Sequence, residues 1–123
     1  MTQTSTKPLV GIVGPCGSGK TTLKRNLEEH HILVRHIAQE HSYVPDMWQR
    51  ISHPTLLIYL NVSFENASQR RRLNWTPPEY EEQLYRLRHA KEHADLVLET
   101  DQMSPDEVLQ AVLQLIQKNP LSL

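Results

Sequence analysis

Glycine is scarce, and it is unevenly placed. All four glycines of the 123-residue chain, Gly11, Gly14, Gly17 and Gly19, fall before residue 20. Any element that needs a glycine backbone is therefore excluded further on, and the later turns are expected to rely on Pro, Asn and Asp. Cysteine is scarcer still. Cys16 alone cannot form an internal disulfide, which predicts a reducing, cytoplasmic setting. Thirteen Lys and Arg against fourteen Asp and Glu leave a net charge of −1, so no basic surface is offered to nucleic acid or an anionic membrane. The longest apolar run, Leu56 to Leu60, falls far short of the ~20 residues that span a bilayer. Residues 1–7 are polar, lack the apolar core of a signal peptide, and are expected to be a disordered tail. Residues 8–123 are expected to form one domain, 38 % of the whole chain being hydrophobic and 22 % charged.

The glycines that are present form a pattern. Gly14-Pro15-Cys16-Gly17-Ser18-Gly19-Lys20-Thr21 fits G-x-x-x-x-G-K-[ST], the Walker A phosphate-binding loop. Its context is right: Leu9 to Val13 reads as a buried strand before it, and Lys20 to His30 as a helix with Leu23 and Leu27 on one face. Glycines let backbone N–H groups approach phosphate oxygens, and the following helix N-terminus favours negative charge. Residues Gly14, Pro15, Cys16, Gly17, Ser18, Gly19, Lys20, Thr21 and Thr22 are thus the candidate cradle for ATP or another nucleoside triphosphate. Lys20 would reach the β- and γ-phosphates, and the Thr21 hydroxyl would hold Mg²⁺.

Strands and helices alternate along the chain. Ile32 to Ala38 reads as a second strand, and Arg35 inside it marks an edge. Gln39 to His53 reads as an irregular connection with one helical turn near Asp46–Ile51. Thr55 to Leu60 is a continuous apolar run suited to a central parallel strand, and Ser63 can cap the helix after it. Thr76-Pro77-Pro78-Glu79 starts a helix expected to run to about Ala94, Leu96-Val97-Leu98 is a last short strand, and Ser104-Pro105-Asp106-Glu107 starts a final helix. The predicted fold is α/β, a P-loop three-layer α/β/α sandwich with about four parallel strands in the order 2-1-3-4.

Beyond the loop, two stretches resemble the nucleotide and small-metabolite kinase branch of the P-loop fold. They are His53-Pro54-Thr55-Leu56-Leu57-Ile58-Tyr59-Leu60-Asn61-Val62, with Glu65 and Arg70-Arg71-Arg72 behind it, and Ala94 to Asp101 leading to Ser104–Val108. The resemblance implies transfer of a γ-phosphoryl group to a small acceptor, with ATP and Mg²⁺. It also implies a lid of arginines over the transferred group, matched in position by Arg70, Arg71 or Arg72 with Arg86 or Arg88, Arg71 and Arg72 being the chosen catalytic pair. Three successive helical residues spread over roughly 200°, so at most two of the three can face one site. The resemblance places the adenine near Thr100–Met103. These kinases carry an acid near the γ-phosphate, but position 61 is Asn. Glu40, just past the second strand, is the candidate Mg²⁺-water ligand or general base, with Asp46 in reserve.

Other assignments stay open or fall. Tyr43, Trp48 and Arg50 could form an acceptor pocket, and Trp48 fits the core equally well. The expected acceptor is a small molecule or a protein partner. His89 and His93 stand at i, i+4, but no H-E-x-x-H or cysteine pair supports zinc. Oxidation of Cys16 would block the loop, against a plain filler role. GTPases of the Ras type share the loop but need a D-x-x-G element, which a chain without glycine past residue 19 lacks. The rival function is a regulatory or interaction module that binds nucleotide with little turnover. An ATPase acting on a partner protein is a third option, although the chain leaves no room for the extra domains of motor ATPases.

Overall fold

The computed structural model describes residues 8–118; the tail expected at residues 1–7 lies outside the described residues. Strands β1 (Leu9–Val13), β2 (Leu33–His36), β3 (Leu56–Asn61) and β4 (Leu96–Glu99) form one parallel sheet in the order β2-β1-β3-β4. Helices α1 (Lys20–Glu29), α2 (Met47–Ser52), α3 (Phe64–Arg71), α4 (Pro77–Arg86), α5 (Arg88–His93) and α6 (Pro105–Lys118) connect and cover it. The predicted strand order and layering are those observed. β3 is central because all of Leu56 to Leu60 is buried, whereas β2 buries only Val34 and forms an edge.

The alternation of side chains along the strands divides the core into two layers. Val10, Ile12, Ile58 and Leu60 face Leu23 and Leu27 of α1 and Val108, Leu109 and Val112 of α6. Val13, Leu57 and Tyr59 face Trp48 of α2 and Leu87 and Ala90 on the opposite side. Trp48 is therefore a core residue, its indole N–H donating to His89 Nδ1 at 3.1 Å.

Helix starts follow the local chemistry. The Ser63 hydroxyl accepts from Asn66 N at 3.1 Å, Thr76 and Glu79 close a capping box, and Ser104 and Glu107 pair reciprocally. Three details differ from expectation. The Thr76 helix breaks at Leu87, whose N–H turns back to the carbonyls of Gln83 and Leu84, so α4 and α5 replace one continuous helix. The Gln39–His53 connection holds a 3-10 turn at Gln39–His41 besides α2. The turns also do not depend only on Pro, Asn and Asp. His31, His53 and Arg72 take left-handed backbone with φ of 62°, 47° and 52°, each just past a helix C-terminus where that geometry closes the last turn.

Candidate phosphate-binding site

The loop between β1 and α1 is pressed against its neighbours. A Cβ on Gly14 would lie 2.3 Å from the Leu60 carbonyl oxygen, and one on Gly17 would lie 2.8 Å from Ala67 Cα and O. Gly17 also has a φ of 83°, which side-chain-bearing residues rarely adopt. Gly19 is different: it is exposed, open space surrounds its Cβ position, and it donates a left-handed N-cap to α1.

Lys20 is buried, 6 % exposed, and folds back over its own loop. Its ammonium donates to the carbonyls of Gly14 and Pro15 and lies 3.2 Å from Glu40 Oε2. Burial pushes its pKa below the ordinary lysine value, while the Glu40 carboxylate pulls the other way. Glu40 is 3 % exposed, and its Oε1 is buried with no hydrogen-bond partner among the described residues. Ser18 Oγ shares that condition. The turn that carries Glu40 is pinned by Gln39, which is fully buried, donates to the carbonyls of Val44 and Arg86, and accepts from Trp48 N. Glu40 thus arrives at the carboxyl end of the sheet on a fixed support, where ligands of parallel α/β folds bind.

These groups border a cavity of about 570 Å³. Cys16, Gly17, Gly19, Lys20, Thr21 and Thr22 line it from the loop, Glu40 and Arg71 from across it. Gly14, Pro15 and Ser18 lie beneath, buried in the turn. A second cavity of about 220 Å³ shares Gly19, Thr22 and Arg70 with the first, so the two form one trough. Its walls are mostly apolar, with Leu23, Met103, Pro105 and Val108 beside Thr100. This is the region where the kinase resemblance placed the adenine.

The arginines separate in role. Arg70 donates to Gly17 O at 3.2 Å, to Thr100 Oγ1 at 3.1 Å and to Thr100 O at 2.7 Å, tying the loop to the end of β4. Arg71 lines the larger cavity and makes no hydrogen bond or ion pair among the described residues. Arg72 caps α3 and lines neither cavity. Arg86 is held by Glu82 and covers Tyr43, and Arg88 folds on Tyr85; neither lines the trough. Asp46 pairs with Arg50 at 2.9 Å, and Asn61 donates to the Glu99 carboxylate. With Trp48 in the core and Tyr43 83 % exposed, Tyr43, Trp48 and Arg50 do not converge on a pocket. His89 and His93 stack at 4.3 Å, with His89 Nδ1 taken by Trp48 and His93 Nδ1 against His89 O.

Sequence reasoning missed three contributors, Gln83, His36 and His41, and gave Thr100 only a place near the base. Gln83 is buried on α4, accepts from Cys16 N at 3.0 Å and donates to Cys16 Sγ at 3.3 Å. Thr100 donates to Asn61 O at 2.8 Å and anchors Arg70. His36 and His41 line the larger cavity. Partial burial and the nearby Lys20 ammonium hold His36 below the usual histidine pKa. A histidine at the end of a strand beside a Walker A loop was an available signal, and the resemblance had pointed to Thr100; Gln83 carried none.

A sequence profile of the AAA domain family matches residues 10–117, so the chain belongs to that family and is a P-loop NTPase-like nucleotide-binding domain. Comparison with curated proteins gives no match. No helix among the described residues is long and apolar enough to cross a membrane.

Proposed function

We propose that this member of the AAA domain family binds ATP, or another nucleoside triphosphate, with Mg²⁺ and moves the γ-phosphoryl group to a small acceptor. The observation that carries the reading is Glu40, a buried carboxylate whose Oε2 lies 3.2 Å from the Walker lysine and whose Oε1 has no hydrogen-bond partner among the described residues. The base occupies the apolar slot beside Met103, the phosphates lie along Gly14–Thr22, and the acceptor enters between Glu40, His36 and Arg71. Thr21 and Glu40 would hold Mg²⁺, directly or through water, and the ion would neutralise charge on the β- and γ-oxygens. The fit is chemical: the Thr21 hydroxyl and the Glu40 carboxylate are hard donors on residues that line one cavity. Lys20 shifts from the loop carbonyls to the phosphate oxygens. Glu40 accepts the acceptor hydroxyl's proton as the new O–P bond forms and the bond to the departing diphosphate breaks. Arg71 stabilises the charge spread over the transferred group.

The regulatory reading keeps one observation of its own. Arg70 is committed to Thr100 and Arg72 stands outside the trough, so a single arginine is left for a lid. Titration of Mg-nucleotide into Lys20→Ala should show no binding by calorimetry, and unchanged affinity would overturn the site. Glu40→Gln should leave binding within a few fold and slow phosphoryl transfer roughly 10²–10⁴-fold. Tight binding by the wild type with no transfer to any acceptor in a metabolite screen would favour the regulatory module.

A further inference from the structure

Cys16, Glu40 and His41 meet at the mouth of the phosphate cavity, one ligand atom of each lying within 4.8 Å of the others. Cys16 Sγ is 3.8 Å from His41 Nε2, and that nitrogen is 3.7 Å from Glu40 Oε2. Bonds of about 2.3 Å to sulfur and 2.0–2.2 Å to nitrogen and oxygen, at tetrahedral angles, require edges of about 3.4–3.6 Å. The two edges that His41 makes are therefore within a few tenths of an ångström of a tetrahedral face, and the Cys16–Glu40 edge is no longer than 4.8 Å. Oxygen-seeking Mg²⁺ or Ca²⁺ would not use the sulfur; the set of one thiolate, one imidazole and one carboxylate suits a zinc-class ion.

Two independent features support a ligand here. Glu40 is nine-tenths buried and more, yet its Oε1 has no hydrogen-bond partner among the described residues. Cys16 is gripped by Gln83 at both its backbone N–H and its sulfur, which fixes the thiol's direction as second-sphere hydrogen bonds do in metal sites. Lys20 lies 3.2 Å from Glu40 Oε2, the oxygen that faces His41, and its ammonium balances part of the thiolate and carboxylate charge. The His41 side chain is 60 % exposed, so the site opens to solvent.

We propose that nucleotide-free protein binds one zinc-class ion at Cys16, Glu40 and His41, with the fourth position open to water, and that this ion excludes Mg-nucleotide. The exclusion follows from shared space: the loop residue Cys16 and the acid Glu40 would be committed to the ion while lining the cavity that phosphates need. Only this second half rests on the nucleotide reading above.

The test uses Co²⁺ alone as a spectroscopic probe on the full chain without nucleotide. One Co²⁺ per chain is expected, with a near-ultraviolet thiolate-to-cobalt band, tetrahedral visible bands, and displacement of both by Zn²⁺. Cys16→Ser should abolish the near-ultraviolet band, and His41→Ala, at an exposed position that the fold tolerates, should weaken binding at least tenfold. A wild type without the thiolate band, or a His41→Ala variant of unchanged affinity, overturns the site. Zn²⁺ should then raise the apparent Kd for Mg-nucleotide at least tenfold in wild type and far less in His41→Ala. An intact cobalt site with no such effect overturns the exclusion alone. A cobalt site in a protein that binds no nucleotide overturns the nucleotide reading and the exclusion while the metal site stands.

Discussion

Two cations grip the same loop from opposite sides, and they do so in different ways. Lys20 holds the carbonyls of Gly14 and Pro15 from within, is buried, and answers to a buried acid. Arg70 holds Gly17 O from outside, is partly solvated, and spends its other hydrogen bonds on the neutral Thr100. The first arrangement stores charge that a phosphate can take over, because every Lys20 contact is replaceable by an anionic oxygen. The second is a strut. Its guanidinium is committed to carbonyls that a ligand does not supply, so position on the arginine helix does not by itself make a lid.

The sharpest break comes from Lys20→Met in nucleotide-free protein. It leaves Glu40 buried without its cation, and stability should fall by about 3 kcal/mol in urea unfolding. Adding Glu40→Gln should restore most of it, because the uncompensated charge is then gone. Arg70→Ala should cost less, about 1.5 kcal/mol, since solvent partly replaces its three hydrogen bonds. It should also loosen nucleotide binding by about tenfold through the slot that Arg70 and Thr100 frame, read by calorimetry. A larger stability loss for Arg70 than for Lys20 would reverse the contrast.

Arg72→Gly should move the other way, stabilising the fold by about 0.5–1 kcal/mol, because glycine adopts its left-handed backbone without strain. Transfer activity should not change, since Arg72 lines neither cavity. The smallest effect concerns pH. His36 has a depressed folded-state pKa, so the unfolded chain takes up its proton first as pH falls below 6.5, and stability drops with pH there. His36→Asn should flatten that slope in thermal melts; an unaltered slope would remove His36 from the loop's electrostatics.

Much of this was legible from short stretches of chain. The bounds of β1, the caps at Ser63, Thr76 and Ser104, and the central place of β3 follow from patterns spanning four to six residues, where backbone geometry and periodicity act directly. The break at Leu87 was not legible, because no Gly or Pro marks it: Leu87 is fully buried, and packing rather than propensity ends α4 there. Trp48 was ambiguous for the same reason, since an indole suits a core and a pocket equally until its neighbours are known.

The sequence alone determined that a phosphate-binding loop sits between a buried strand and a helix, and that the sheet is parallel. Glycine spacing and apolar runs encode both within a few residues of the feature itself. Tertiary structure alone decided what each charged side chain is used for. Arg70 and Thr100 meet across 30 residues, and Gln83 and Cys16 across 67, so their partnership depends on strand order and helix placement. Lys20 and Glu40 become a pair only because β2 lies beside β1, which brings two buried charges within 3.2 Å.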